Sequence, residues 1–190
     1  MTVVDFRRKI ATDTDRRFGM HTFHAITGLL LLLLPALAFP ADQSERLNSQ
    51  GVELGRAGKY KEAIVAFSKA IALAPDDVEP HYNRGKAKLN LGDYDGAIAD
   101  LSQAIVLVPT YAQAFNNRAI ARRKKGDTLG AILDYDNALR LEPTNYQLYF
   151  NRGIAKHEAR QNVAACQDFR IASEHQIAQA TTALRTARCR

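Results

Sequence analysis

From Ser44 to the C-terminus, apolar, small and polar positions recur with the spacing of amphipathic helices, and the whole pattern returns every 34 residues. One column is large and apolar or aromatic: Phe67, Leu101, Tyr135, Phe169. Two are alanine: Ala63, Ala97, Ala131, Ala165, and Ala70, Ala104, Ala138, Ala172. A fourth reads Gly51, Gly85, Ala119, Gly153. Gly58, Gly92 and Gly126 keep the same step, as do Pro75, Pro109 and Pro143. Each unit therefore predicts two helices joined by a tight turn at its glycine. Small residues sit where the helices approach, the large residue fills the space between units, and proline stops the second helix. First helices are expected near 44–57, 78–91, 112–125 and 146–159, and second helices near 60–73, 94–107, 128–141 and 162–175. One such hairpin cannot bury its apolar face alone, so neighbours must stack.

The N-terminus breaks the pattern. Residues 25–39, AITGLLLLLLPALAF, form an uncharged apolar run of 15. A membrane span needs about 20 residues, whereas a secretory signal peptide suits this length. Basic residues precede the run (Arg7, Arg8, Lys9, Arg16, Arg17) and small ones close it at Ala36 and Ala38. A polar stripe, which a buried core helix of this kind carries, is missing. The expectation is a signal peptide over 1–38, cut after Ala38, with a linker at 39–43; the alternative is an uncleaved membrane anchor. Met20 offers a second start that gives a leader of ordinary length. Either way the body lies across the membrane from the cytoplasm, in the periplasm.

The 190 residues carry a net charge of +6. The charge is spread along the chain, which argues against disorder after the N-terminus. The balance suits acidic partners without demanding nucleic acid.

The repeating unit resembles the tetratricopeptide repeat. The resemblance covers about 44–179, in four units: 44–77, 78–111, 112–145 and 146–179. It implies an all-α fold, an α-solenoid of four helix hairpins. Unit 4 departs from the pattern, with Arg160 at the turn glycine and Ile177 at the final proline. Such a departure marks a terminal unit that runs on into a capping helix, about 177–188, with 180–190 as its C-terminal part.

In this family the first helices line a concave groove that holds partner segments. The alignment places Asn83, Asn117 and Asn151 at one groove position, where amides both donate and accept. This is similar to the asparagine ladder of O-linked N-acetylglucosamine transferases, and it implies a grip on the backbone of an extended peptide. Other groove positions are Arg56, Tyr82, Lys86, Asn116, Arg123, Lys124, Phe150 and His157, a mix that suits an acidic or C-terminal carboxylate ligand. Co-chaperone repeats clamp such a carboxylate with five residues. Here only Asn83 matches, because Asn48, Val52, Gln113 and Asn117 stand at the other four positions, so cytosolic heat-shock-protein binding is not expected.

Arg84, Arg118 and Arg152 recur at the 34-residue step, as do Asp100, Asp134 and Asp168, while unit 1 has Gln50 and Ala66 instead. Joint presence and joint absence predict that each Arg pairs with the Asp of its own unit, a structural ion pair fixing hairpin geometry. The run Arg122, Arg123, Lys124, Lys125 closes a helix, where cations complement the dipole; no aromatic platform suggests RNA. Cys166 and Cys189 meet if the capping helix turns back antiparallel, and an oxidising compartment then permits a disulfide. One continuous helix would instead hold them about 35 Å apart. The histidines lack metal-ligand spacing, and no GxSxG, HExxH or phosphate-binding loop occurs. The chain is therefore read as a scaffold or adaptor that takes a protein or peptide partner, not an enzyme, with no cofactor, no metal and no nucleic acid expected. A membrane-anchored assembly factor for an envelope complex and an RNA-binding helical repeat are the alternatives.

Overall fold

The structure is a computed structural model that describes residues 40–189. The expected signal segment, its cleavage point and the Met20 start lie outside the described residues. Among those residues there are nine helices and no strand. They are α1 (Pro40–Arg56), α2 (Tyr60–Leu73), α3 (Val78–Leu91), α4 (Tyr94–Leu107), α5 (Ala112–Lys125), α6 (Thr128–Leu141), α7 (Tyr146–Glu158), α8 (Asn162–Glu174) and α9 (Ala178–Thr186). Each odd helix packs on the next to make a hairpin, and each even helix packs on the first helix of the following hairpin. First helices also touch their successors, α1 with α3 and α3 with α5.

The turns follow from local chemistry. Gly58, Gly92 and Gly126 adopt φ of 74°, 81° and 95°, the left-handed region that glycine enters without a Cβ penalty. Arg160 holds the same position in the fourth hairpin at φ 61°. The turn survives there because the chain still closes it, with Gln161 N–H donating to Lys156 O at 2.9 Å. Asp93 and Asp127 cap α4 and α6 by accepting from Gly96 and Gly130 N–H, both at 2.9 Å. Pro75, Pro109 and Pro143 lie just past α2, α4 and α6.

The core explains the columns. Ala63, Ala97, Ala131 and Ala165 are fully buried. Phe67 lies against Gly51 so closely that a Cβ there would sit 2.5 Å from its ring, and Phe169 stands 2.6 Å from a Cβ at Gly153. The large residue thus packs first across its own hairpin. It reaches the next hairpin as well, since Phe67 clusters with Ala87. The sequence expectation put it only between units; the glycine opposite it is the reason it fits inside.

Two boundaries need correction. The expected linker at 39–43 is the start of α1, which begins at Pro40. Proline is favoured at the first helical position, where its missing N–H has no partner to lose. Ser44, fully inside, donates Oγ–H to Ala70 O at 3.0 Å and ties this start to the end of α2. The capping helix is shorter than 177–188: Gln176 and Arg188 adopt positive φ and bound it at Ala178–Thr186. It turns back on α8, and Cys166 and Cys189 are joined, their Cα atoms 5.6 Å apart.

Candidate functional site

Two side-chain systems run the length of the stack, one between hairpins and one along the first helices. The first is built on the recurring arginines. Arg84 donates Nε–H and Nη2–H to Asp100 at 2.8 and 2.7 Å. Arg118 does the same to Asp134 at 2.9 and 2.7 Å, and Arg152 to Asp168 at 2.8 and 2.7 Å. These forks match the planar guanidinium to the carboxylate. The third Arg nitrogen reaches back one hairpin. Arg84 and Arg118 donate Nη1–H to Ser68 and Ser102 Oγ, each at 3.0 Å, and Arg152 to Asp136 Oδ1 at 2.6 Å.

One helical turn on, a second cation contacts each carboxylate: Lys88 on Asp100 at 2.8 Å, Arg122 on Asp134 at 3.0 Å, Lys156 on Asp168 at 2.8 Å. Sequence reasoning missed Lys88, Lys156 and the Ser68, Ser102, Asp136 column, and read Arg122 only as a cation at a helix end. Both keep the 34-residue step, so the signal was there. Burial works against ionisation of Asp100, but hydrogen bonds from Arg84 and Lys88 outweigh it and hold its carboxyl below the usual range. Burial likewise opposes the Arg152 cation, and Asp168 and Asp136 more than compensate, raising it above the ordinary arginine value. The system is a structural tie between hairpins.

The second system is the amide ladder. Asn83 donates to Asn48 Oδ1 at 3.1 Å, Asn117 to Tyr82 Oη at 3.0 Å, and Asn151 to Asn116 Oδ1 at 3.4 Å. Every rung thus bridges to the first helix of the preceding hairpin, which the sequence did not reveal. One N–H of each amide is engaged in this way. Asn151 also accepts from Gln147 at 3.2 Å. Tyr82 is fixed further by its ring, 4.7 Å from that of Tyr111, and burial lifts its phenol above the ordinary value, with the Asn117 bond partly offsetting that.

Between the first two hairpins the groove opens into a cleft of about 370 Å³, lined by Gly51, Val52, Gly55, Arg56, Tyr60, Phe67, Asn83, Lys86, Ala87 and Asn90. Arg56 and Lys86 are exposed there and form no ion pair among the described residues. Asn90 follows from the Arg56 and Lys124 column but was not singled out from sequence. A second cleft, about 310 Å³, holds Phe150 and His157 with Ile154 and residues of α9. Phe150 leans on Phe169, ring centroids 6.0 Å apart, and His157 Nδ1 lies 3.0 Å from Asn162 Oδ1. The structure does not bring all the expected groove residues together. Arg123 is tied to Glu158 at 2.7 Å, and the two clefts lie at opposite ends of the ladder. In the basic run, Arg122 and Lys125 are also paired, with Asp134 and Asp95, which leaves Lys124 as the exposed member without a carboxylate partner among the described residues.

No group of three metal-ligating side chains occurs among the described residues. Stacked hairpins tied by repeating ion networks, with a polar groove along their first helices, define a helical-repeat interaction module. The family model for the TPR repeat matches residues 56–92 and 86–126. The second TPR domain of human RPAP3, solved with the HSP70 peptide SGPTIEEVD, is 32% identical. That match covers 62% of this chain and 98% of that one, with a TM-score of 0.60. The chain belongs to the tetratricopeptide-repeat family. The first TPR of Spaghetti (RPAP3), bound to the HSP90 peptide SRMEEVD, is 25% identical over 66% of this chain and 99% of that chain, TM-score 0.63. A crystal structure of MamA covers 95% of this chain and 98% of its own at 24% identity and TM-score 0.69, a likeness of fold. No curated protein sequence matches. The repeat fold is generally a non-catalytic interaction module, and the two RPAP3 domains are solved with bound peptides.

Proposed function

We propose that this protein is a non-enzymatic scaffold that holds an extended segment of a partner protein along its first-helix groove, on the far side of a membrane. The observation that carries the reading is the ladder beside an open, cationic cleft. Asn83 leaves part of its amide capacity unused at the cleft, where Arg56 and Lys86 stand exposed without carboxylate partners. Amides grip a peptide backbone with little regard to its sequence, and the two cations favour acidic side chains or a terminal carboxylate. The RPAP3 domains, whose peptides end in EEVD, give the class of ligand a precedent. The five-residue clamp is nonetheless matched only at Asn83, so the partner is of acidic peptide chemistry rather than a cytosolic heat-shock tail. Export rests on the apolar run at 25–39, and the joined cysteines suit an oxidising compartment.

The test is capture from solubilised envelope. Changing the three asparagines to Ala would loosen the stack as well as the groove, because each bridges two hairpins. Arg56→Glu with Lys86→Glu avoids this, since neither cation supports the fold through an ion pair. A partner held by wild type and lost by this folded double variant is expected. Equal capture by both would refute the groove as the binding site.

A further inference from the structure

The outward face of the first hairpin differs from its counterparts in every later hairpin. At the positions where hairpins 2 to 4 carry Arg84, Arg118, Arg152, then Lys88, Arg122, Lys156, then Asp100, Asp134, Asp168, hairpin 1 carries Gln50, Leu54 and Ala66. Later hairpins bury that face under the preceding second helix, through bonds such as Arg84 to Ser68 and Arg152 to Asp136. Hairpin 1 has no described helix over it. Leu47, Gln50, Leu54, Glu62, Val65, Ala66 and Lys69 line an open hollow of about 360 Å³. An end face left in water is ordinarily polar. Here the charged network has been dropped for Gln50, Leu54 and Ala66, and Val65, at a position exposed in every hairpin, stands 54% exposed beside them on the hollow.

We infer that this face is covered by the same face of a second copy of the chain, in a two-fold dimer centred on Val65 and Ala66. The charges on α2 carry the choice of occupant. Glu62 and Lys69 lie seven residues apart, on one side of the helix, and the apolar pair stands midway between them. An antiparallel α2 against α2 therefore sets each Glu62 opposite the Lys69 of the other copy, twice over. Neither residue is in an ion pair among the described residues. A head-to-tail contact would need the far end of the stack as its mate, and α9, pinned by the cysteine pair, occupies that end. The self-complementary contact closes on itself and gives a dimer, not a filament.

The experiment is mild oxidation of the full chain in intact cells, read on non-reducing gels. Val65→Cys sits on the proposed axis, and Val106→Cys, 72% exposed on α4, is the control. The two native cysteines are already paired with each other. A disulfide-linked homodimer is expected from Val65→Cys and not from Val106→Cys. Adding Glu62→Lys or Lys69→Glu alone should cut the dimer at least tenfold, and adding both should restore it. A monomer from Val65→Cys overturns the inference, as cover by any other partner or by residues before Pro40 would give. A cross-link indifferent to the charge reversals overturns it equally.

Discussion

At the level of single residues, the stack is governed by what surrounds each aspartate. Asp134 is about 1% exposed and meets Arg118 and Arg122, so it is a buried charge fully compensated by its partners. Replacing it by Ala should cost about 3–5 kcal/mol, because two cations lose their counter-ion while staying in place. Urea denaturation of Asp134→Ala against wild type measures this. Asp100 adds a pH signature. Its carboxyl is held below the usual range, so its contribution is fully present above the unfolded value, about 3.9. The contribution is lost as pH falls through the lower folded value. Wild type should lose stability more steeply below pH 4 than Asp100→Asn, compared by thermal melts from pH 5 to 2. Arg160 marks the opposite situation, a non-glycine held at φ 61°. Arg160→Gly relieves about 1–2 kcal/mol of left-handed strain and gives back about 0.5–1 kcal/mol in backbone entropy. A net rise in Tm is expected by calorimetry.

Among the elements, fit across each hairpin decides the geometry. A Cβ at Gly85 would lie 2.8 Å from Leu101 Cγ and 3.3 Å from the Ala97 carbonyl oxygen, whereas one at Gly55 meets nothing within 4 Å. Gly85→Ala should therefore destabilise by about 1–3 kcal/mol, and Gly55→Ala should stabilise by about 0.5–1 kcal/mol. The pair can be measured side by side in urea. The turn glycines and the alanine columns made all four hairpins legible in the sequence, nearly to the residue. The start of α1 was not, because Pro40 reads as a breaker unless it is known to stand at the first helical position. The end of α9 was hidden for a related reason, since nothing in the type of Arg188 announces a positive φ.

At the scale of the whole molecule, the C-terminal end carries the covalent tie among the described residues. The cysteine pair spans a sequence separation of 23 and holds α9 against α8. A loop of this size contributes about 3 kcal/mol in the chain-entropy account. Reduction should therefore loosen α8 and α9 first, seen as faster amide exchange there than in α3 to α6. The site was partly legible at this scale. The groove column and the Arg–Asp pairing could be read from period alone, since both sit at one step of 34. What could not be read was that the ladder binds hairpin to hairpin. Its partners Asn48, Tyr82 and Asn116 lie 35 residues back, one off the period, and differ in type. The same offset separates Arg123 from Glu158, which removed an expected groove cation. The most direct test of groove binding is a photo-cross-linking residue placed at Asn90, in the cleft, and separately at Val106, away from it. Covalent adducts with a partner protein from position 90 and none from 106 are the predicted result. Adducts from 106 with none from 90 would contradict the account.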